Sequence, residues 1–586
     1  VLATQVASDN PLEVTEQLQT QTINGLVVDA NGEPVIGASI IEKGTTNGGI
    51  TDINGKFTLT VKPGATLKIS YIGYQTQEVK AARTMKIILK EDSELLQEVV
   101  VVFYGIQKKA NLTGAVATVD VNKTLDSRPI ADIGRGLQGA VAGVNITIPT
   151  GEVGSDPLIK IRGQVGSISG NNTPLILLDN VEIPSIQMVN PNDVQSISVL
   201  KDAASSSIYG SKAAFGVILI TTKSGAQSDK FEISYSNNFS WQDPAKKIEI
   251  GGIEALQYTL DAQTNRREPM PAGGFWRISP ESLEKAIEWQ NLYGGKVKWN
   301  DPVVYGRDWF YDGKDKYGYR LYDGAKAMIK NWTPTMTHNL SVNGKSGKTS
   351  YNIGLGYLDQ SGMSKTAKKD DFKRYNASVS VTSEINKYIT VRASSIYSDR
   401  NKRYPGIGNT TADPWLYLYR WSPLMPMGVT ENGNPLKEPT YEMAAANTDN
   451  LQNKYYNINL GFTLNLTKNW DVKFDYTYDR QTTETNSSVM QYEAGEMWYA
   501  PTAWMENGSQ VFVNEQGERV DTGGMPAYRF PVNKYYNSSG PSASQVGNNS
   551  KSIDNNTFNI YTTYNLLLGP EKQHAFKFMA GMNRVT

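Results

Sequence analysis

The residue types on which most enzymes depend are scarce in this 586-residue chain. It has no cysteine, and neither of its two histidines, His338 and His574, has a second histidine at ligand spacing. Thiolate catalysis, cysteine-ligated metals and disulfides are therefore excluded. Residues Gly344–Thr349 are similar to a phosphate-binding loop, but Val342 occupies a position that this motif reserves for glycine. We accordingly predict no enzyme, no cofactor and no metal site.

Composition and charge restrict the class of protein further. Lys+Arg and Asp+Glu both number 58, so no net field attracts the chain to nucleic acid or to an anionic membrane surface. An apolar run of about 18 residues, as a transmembrane helix requires, is absent, but β-strands cross a membrane with about ten residues of alternating polarity. The 32 Tyr, 11 Trp and 52 Gly suit a membrane barrel, and equally a secreted β protein.

Residues 22–90, which follow a polar segment (1–21) predicted to be a flexible leader, predict a small β-sandwich. Asp29–Gly32 and Asp52–Gly55 favour hairpin turns, because Asn-Gly pairs tolerate positive φ. Apolar and polar residues alternate over Lys56–Val61, as in a half-buried strand, and about seven such strands fit in the segment. Neither turn is followed by the closing glutamate of a calcium loop, so plain turns are expected.

Residues 104–228 predict a mixed α/β domain, after a linker at 91–103. Leu175–Leu178 is a continuous apolar run bounded by turn-forming residues, which indicates a fully buried strand. Ala203–Ala214 predicts a short helix, and Val217–Thr222 predicts a further strand.

Beyond residue 229 the dominant feature is strict alternation of apolar and polar residues. Over Tyr456–Thr467, for example, every second side chain is apolar. One face of such a strand suits lipid and the other a water-filled lumen, although an amphipathic sheet on a soluble core has the same pattern. The pattern predicts nine strands, at 231–242, 337–343, 349–358, 373–382, 388–398, 455–466, 470–479, 557–567 and 574–582.

The connections between these strands favour the membrane barrel, because they alternate between long or medium and short. Transmembrane barrels have short periplasmic turns and long extracellular loops, whereas a soluble sandwich has no reason to sort its loops in this way. Nine is an odd number, and an open edge in lipid leaves backbone groups unpaired. We therefore expect this chain to be the N-terminal part of a longer protein, or its barrel to be completed by another chain.

Eight short segments between residues 98 and 225 carry a family resemblance, in the family's order. They are Glu98–Val102, Tyr104–Lys109, Leu112–Val116, Leu137–Gly139, Ala142–Val144, Ile161–Gly163, Asn192–Ala203 and Ile208–Gly225. Together they closely resemble the plug of SusC-like, TonB-dependent outer-membrane transporters. Two positions depart from the family pattern: Phe103 stands where glycine is usual, and Asp179-Asn180 where Asp-Gly is usual.

The resemblance extends to the first domain and implies a fold for the whole chain. Residues 22–90 resemble the carboxypeptidase-regulatory-like domain that often precedes the plug in this family. The implied fold is mainly β, with a small N-terminal β-sandwich, a mixed α/β plug at 104–228, and the first part of an antiparallel transmembrane β-barrel at 229–586.

The valine-rich segment before the plug is the candidate binding site for TonB, the periplasmic partner that supplies energy. A short extended segment adds a strand to a partner's sheet through main-chain hydrogen bonds, and valine restricts the backbone to that conformation. The alternative is that the valines form the first buried strand of the plug. The candidate TonB-binding residues are Glu98, Val99, Val100, Val101 and Val102.

Nine of the eleven tryptophans fall in the inferred extracellular connections. Aromatic faces stack on sugar rings and also anchor protein interfaces, so these residues are candidates for contact with substrate or with a surface partner. The alternative is that large loops require small cores of their own. The nine residues are Trp276, Trp289, Trp299, Trp309, Trp332, Trp415, Trp421, Trp498 and Trp504.

The resemblance implies TonB-dependent import across a Gram-negative, Bacteroidetes-like outer membrane. A SusD-like surface lipoprotein is the implied partner, and an oligosaccharide from glycan breakdown is the implied cargo, with oligopeptides as the alternative. A different class of function, surface binding or adhesion without transport, would not need the segment Glu98–Val102. A third reading, a secreted enzyme associated with carboxypeptidases, lacks candidate catalytic residues.

Overall fold

A computed structural model describes most of the chain. The described residues are 20–29, 32–45, 47–71, 74, 76–89, 99–102, 105–108, 116–119, 121, 132–148, 151–163, 173–223, 231–244, 249–266, 276–406, 414–418, 420–488, 491–536, 547–568 and 574–586. They divide into two compact units, one formed mainly by the first hundred residues and one by residues 113–586. The candidate leader, residues 1–21, lies almost entirely outside the described residues.

The first unit is the predicted β-sandwich of seven short strands. One sheet has three strands and the other has four. The side chains between them, such as Ile23, Ile40 and Leu67, are fully buried. The strands are Gln21–Val28, Ser39–Glu42, Gly48–Ile50, Lys56–Val61, Thr66–Ser70, Gln77–Lys80 and Thr84–Ile88.

The turn at Asp52–Gly55 shows why this sequence forms a hairpin. The Asp52 carboxylate accepts hydrogen bonds from the backbone N–H groups of Asn54 and Lys56, at 2.9 and 2.8 Å. Gly55 has φ +73°, and a Cβ there would lie 2.5 Å from the carbonyl oxygen of Val27. Glycine is therefore required both by the backbone conformation and by the close approach.

The plug is built on a five-stranded mixed sheet with a separate two-stranded hairpin. Leu175–Leu178 is the predicted buried strand; it lies parallel to Val217–Thr222, whose bounds are those predicted. The other strands are Val116–Val119, Val144–Thr147, Leu158–Ile161, Val181–Glu182 and Val194–Leu200.

The turn after Leu178 adopts the positive φ that the sequence suggested. Asp179 has φ +48° and Asn180 has φ +70°. The Asp179 carboxylate accepts hydrogen bonds from the backbone N–H and the hydroxyl of Thr222, at 2.9 and 2.7 Å, and thereby ties two strands together.

The predicted helix at 203–214 is wrong in its continuity. An α-helical turn at Ala203–Ser206 is followed by a 3-10 segment at Ser207–Ala213, and Gly210 interrupts it with φ +69°. A backbone in that conformation cannot continue a right-handed helix. The remaining helical elements of the plug are Ile133–Leu137, Ile186–Met188 and Pro191–Asp193.

The nine predicted strands form one antiparallel sheet, in which each strand pairs with the next along the chain. Its edges are the first and the ninth strand. Most of the strands extend beyond the predicted bounds. They are Glu232–Gln242, Thr333–Ser346, Thr349–Ser361, Asp371–Glu384, Ile389–Pro405, Thr448–Thr467, Trp470–Ser487, Gly547–Leu568 and His574–Val585.

The two faces of this sheet differ as a barrel wall requires. In the fourth strand Tyr375 and Val379 are exposed on the outer face, whereas Arg374 and Asn376 are buried on the inner face. The outer side chains of the first strand, such as Ile233 and Phe239, are likewise exposed and apolar. Together with the plug on the inner face, this pattern is that of part of a transmembrane β-barrel.

The long connections at one end of the sheet are folded. Their described residues contain five helices, at Ile253–Arg266, Pro280–Tyr293, Gly324–Met328, Pro414–Tyr417 and Pro439–Ala445. Their short strands are Trp276–Arg277, Trp309–Tyr311, Lys316–Gly318, Gln491–Gly495, Thr502–Ala503, Met505–Glu506, Ser509–Gln510, Phe512–Val513, Met525–Pro526, Tyr528–Arg529 and Val532–Tyr536. Among the helices in the described part of the chain, none is both long and apolar enough to cross a membrane.

Candidate functional site

The plug is fastened to the barrel wall through two consecutive 3-10 turns, residues 185–193. The Ser185 hydroxyl accepts the Gln187 N–H and so caps the first turn, and the Asn190 side chain does the same for the Asn192 N–H in the second. Pro191 begins the second turn, where its missing N–H costs nothing. The local sequence therefore specifies these turns.

Inward-facing side chains of the fourth barrel strand hold these turns by their backbone. The Arg374 guanidinium donates to the Gln187 carbonyl at 3.0 Å, and the Asn376 amide donates to the Met188 carbonyl at 2.8 Å. Ser378 donates to the Asp193 carboxylate at 2.9 Å. The three donors lie two residues apart, as one face of a strand dictates.

Close approach is possible because the neighbouring strand carries glycine on its inner face. A Cβ at Gly354 would lie 2.4 Å from the Asp193 carboxylate, and one at Gly356 would lie 2.5 Å from the Asn190 amide. A second set of contacts comes from the fifth strand, where Arg400 donates to Ser185 and Lys402 to Glu152, both at 2.8 Å.

The candidate TonB-binding segment forms an extended strand. Val99–Val102 pairs with Gly105–Lys108 in a two-stranded sheet, so its backbone has the conformation that strand addition needs. Glu98 lies outside the described residues. Binding of TonB by this segment stays a prediction.

A cavity of about 1050 Å³ lies where the plug meets the long-loop end of the first barrel strands. Its lining comes from the plug, including Arg135 and Val153, and from Trp241 and Gln242 at the end of the first strand. Residues between 323 and 331 and between 360 and 365, together with Leu418, complete it. Because the first strand runs into the connection 243–332, the cavity opens on the side of the long loops.

The candidate tryptophans separate into two groups. Trp276, Trp289, Trp309, Trp421 and Trp504 are buried, and Trp498 packs half-buried against them. Trp299 and Trp332 are exposed, with 52% and 66% of their surface accessible. Trp415 lies in the short helix Pro414–Tyr417, and the position of its side chain is outside what the structure describes.

The buried group except Trp289 forms an aromatic core shared by the connections between the barrel strands, which we call the loop core. Trp309 of the first long connection stacks on Phe530 of the last, with ring centroids 4.1 Å apart. Trp276 and Trp421 lie in the same cluster. For these side chains, the alternative that large loops need their own core describes the structure, because a side chain buried within the chain has no surface left for substrate.

Three charged residues that sequence reasoning missed hold the loop core together. Lys316 is buried and donates to the carbonyls of Met497 and Tyr499, at 2.6 and 2.9 Å. Burial lowers its pKa to about 8. These partners lie far away in the sequence, so no local pattern could have identified the contact.

The other two, Asp308 and Arg320, form a buried pair beside the first exposed tryptophan. The Asp308 carboxylate accepts the Trp289 indole N–H at 2.9 Å. The Arg320 guanidinium donates to the carbonyl of Trp299 at 2.9 Å, which fixes the backbone of that exposed residue.

Neither exposed tryptophan of the candidate set lines the cavity, but each lies next to a residue that does. Trp332 directly follows the lining residue Asn331 and has φ +57°. The ammonium of the lining residue Lys365 lies 6.0 Å from the Trp299 ring centroid. Two of the nine predicted contact residues are therefore exposed near a cavity that the sequence did not reveal.

Comparisons with known proteins agree with this architecture. Residues 23–101 match the family model of the CarboxypepD_reg-like domain, and residues 108–217 match the TonB-dependent Receptor Plug Domain. Among curated proteins, the chain is similar to the TonB-dependent receptor SusC of Bacteroides thetaiotaomicron. The two are 32% identical over 379 residues, which is 63% of this chain and 33% of that protein.

One further relative supports the same class, and one solved structure shows a similar fold. The TonB-dependent receptor P26 of Formosa agariphila is 30% identical over 448 residues, covering 75% of this chain and 40% of the relative. The RagAB peptide importer in its open-open state has a similar fold, with a TM-score of 0.52 and 21% identity over 83% of this chain and 56% of that one. The chain spans about a third to two fifths of the length of these curated relatives.

A plug held inside antiparallel barrel strands defines the class of TonB-dependent outer-membrane receptors. Within that class, the carboxypeptidase-regulatory-like domain, the plug and the sequence relatives place this chain among the SusC-like receptors.

Proposed function

We propose that this chain is part of a transporter that imports oligosaccharides across a Bacteroidetes-like outer membrane, driven by TonB. The observation that carries the proposal is the arrangement of plug and cavity. The plug is hydrogen-bonded to the inner face of the wall, and the cavity above it opens on the side of the long loops. Such a site captures a ligand outside and cannot release it inward until the plug shifts.

The energising step begins at the strand Val99–Val102. TonB adds a strand to this segment and pulls, and the plug then moves relative to the barrel wall. Arg374 and Asn376 contact the plug through hydrogen bonds to backbone carbonyls. In this proposal these hydrogen bonds break when the plug moves and form again after each transport cycle. In this proposal the protein performs no covalent chemistry and needs no cofactor.

Oligosaccharide is the favoured cargo because of the exposed tryptophans at the cavity. An indole face offers apolar surface to the C–H groups of a sugar ring. A SusD-like surface lipoprotein is the proposed partner, as the resemblance of the plug to SusC-like transporters implies. Oligopeptide import is the alternative; the RagAB importer is a peptide transporter, but at 21% identity its likeness concerns the fold alone.

Deletion of Val99–Val102 from the full-length receptor tests the mechanism. We expect uptake of labelled oligosaccharide by cells to stop, while binding of the same ligand at the cell surface persists. Uptake at the wild-type rate would refute TonB-driven import through this segment and favour a surface-binding or adhesion protein. Q516A, at an exposed residue of the last long connection, serves as the control and should leave uptake intact.

Native mass spectrometry of the receptor extracted from its own outer membrane tests partner and cargo. The expected mass includes a lipoprotein and a retained oligosaccharide. A retained peptide instead would favour the alternative cargo, and a receptor without partner or ligand would contradict the proposed assembly.

A further inference from the structure

The cavity above the plug is more basic than the rest of the protein. Four cationic side chains line it, from Arg135, Lys326, Lys330 and Lys365, against two carboxylates, from Asp243 and Asp323. The whole chain has a formal net charge of zero, so this excess of two positive charges is local. A concave site focuses such a field and concentrates ligands of the opposite charge.

Some of these charges are already engaged within the protein. The Arg135 guanidinium pairs with Asp132 at 3.2 Å, and the Lys365 ammonium donates to the Lys326 carbonyl at 3.0 Å. The Asp323 carboxylate accepts the Lys326 N–H at 2.9 Å and caps the helix Gly324–Met328.

Two cations remain available to a ligand. Among the described residues, neither Lys326 nor Lys330 has a carboxylate within ion-pair distance of its ammonium group, and the nearest acid to act on Lys330 is Asp370. Lys326 is exposed and Lys330 is half-buried, and both line the cavity. An ammonium group is a compact charge that binds carboxylate or sulfate without demanding one geometry.

The rim adds a second kind of contact. Trp299 and Trp332 are exposed beside the lining residues Lys365 and Asn331. The volume of about 1050 Å³ is at the upper end for small-molecule sites and accommodates several sugar rings. A chain of sugar rings that carries negative substituents would use both the cations of the cavity and the aromatic faces near it.

We infer that the cavity selects anionic oligosaccharides, whose carboxylate or sulfate groups bind Lys326 and Lys330 while sugar faces stack on Trp299 and Trp332. This inference rests on the proposed function, because it names the cargo class of the same site. It distinguishes the receptor from one built for neutral glycans or for acidic peptides.

The test is a binding measurement on the full-length receptor complex, purified from its own outer membrane. The probes are a galacturonic acid hexamer, a sulfated galactan hexamer, maltohexaose as the neutral comparator, and hexaglutamate as the acidic peptide. The variant is K326Q/K330Q, and K326R/K330R restores the charge. K296Q is the matched control, since Lys296 is an exposed loop lysine outside the cavity lining.

We expect at least one anionic hexamer to bind about tenfold or more tightly than maltohexaose, and the preference to shrink as salt rises. K326Q/K330Q should lose roughly tenfold in affinity for that hexamer and nothing for the neutral one. K326R/K330R and K296Q should bind as the wild type does. The carboxylated and sulfated probes distinguish the two sources of negative charge.

Three results would overturn the inference: equal binding of neutral and anionic hexamers, unchanged affinity in K326Q/K330Q, or lysine-dependent binding of hexaglutamate alone. Uptake assays with the Val99–Val102 deletion separate this inference from the proposed function. If the deletion variant continues to take up ligand, TonB-driven import is refuted, but the inferred binding preference is not. If uptake depends on Val99–Val102 but only neutral glycans are taken up, the inference of an anionic cargo is refuted and the import mechanism is retained.

Discussion

Tryptophan has two separate roles in the loops of this protein, and the sequence does not distinguish them. Trp309 and Trp276 are buried in the loop core, whereas Trp299 and Trp332 are exposed beside the cavity. All four occur in polar, turn-rich surroundings, and the difference arises from residues far along the chain. Trp309, for example, is covered by Phe530.

Substitution of single tryptophans separates these roles. W309A should destabilise the loop core by about 3–5 kcal/mol, because a large buried ring leaves a cavity. W299A should change stability by no more than about 0.5 kcal/mol but weaken ligand binding, since its ring is half exposed. Hydrogen-exchange protection of residues 305–320 measures stability. Equal effects of the two variants on protection would contradict the assignment.

At the scale of elements, the plug is held by short turns that approach one barrel strand closely where that strand carries glycine. Gly354 and Gly356 allow the turns at 185–193 to reach the wall, and Arg374 and Asn376 hold them by their carbonyls. The sequence indicates a plug strand and a barrel strand but cannot indicate which glycine faces which turn.

Filling one of these positions should loosen the plug. In G354V the new side chain would overlap the Asp193 carboxylate, which lies 2.4 Å from the ideal Cβ position. We expect the full-length receptor to show larger and more frequent ion-conducting openings in planar bilayers. L355V, on the outward face of the same strand, is the matched control and should stay closed. Identical conductance of the two variants would show that the contact does not hold the plug.

A loop helix between the fifth and sixth barrel strands is capped by a buried acid. Glu438 caps the helix Pro439–Ala445, accepting the N–H groups of Thr440 and Tyr441 at 2.7 and 2.9 Å. Burial raises its pKa to about 7 despite these hydrogen bonds. In the unfolded chain the group titrates near its ordinary value of 4.5.

This acid should make the loop pH-sensitive. Between pH 4.5 and about 7 the folded state holds a proton that the unfolded state has lost, so stability is highest below pH 4.5 and falls as pH rises to about 7. The loss is about 3 kcal/mol. Protection factors of residues 439–445, measured between pH 5 and 8, should show this slope in the wild type and not in E438Q. A slope that persists in E438Q would assign it to another group.

At the scale of the molecule, the sequence predicts the barrel strands better than their connections. Alternation is local, so all nine strands were identified, and their observed order is the predicted one. Their ends were not: the strand predicted at 455–466 begins at Thr448. Beyond the lipid no apolar face is required, so the alternation stops while the hydrogen-bonded ladder continues.

The folds of the connections, unlike the barrel strands, depend on contacts between residues far apart in the sequence. Lys316 donates a hydrogen bond to Met497, which is 181 residues further along the chain. The cavity is lined by the plug, by the ends of two barrel strands and by two of the long connections. No periodicity describes such contacts. The aromatic composition of the loops was visible in the sequence, but the partition into buried and exposed residues depends on the complete fold.

The first unit should fold without the rest of the chain. Its seven strands enclose a core that includes Ile23, Ile40, Leu67 and Ile69, all with no exposed surface. We expect a fragment of residues 20–89 to unfold cooperatively on heating and to give dispersed amide NMR signals. I40D in the same fragment should abolish both, because it buries an unpaired charge. A wild-type fragment without a cooperative transition would contradict its independence.

The loop core has a consequence for how such a receptor changes its ligand. Trp309, Trp421 and Phe530 come from three different connections. All three belong to the same buried cluster, in which Trp309 stacks on Phe530. Replacing one connection by that of a relative would remove packing contacts from the other two. We therefore expect recombinant receptors to fold only when all three connections are exchanged together. Exchange of single connections between receptors is therefore constrained. Point substitutions at the cavity, such as those at its lysines, change ligand specificity without disturbing the loop core.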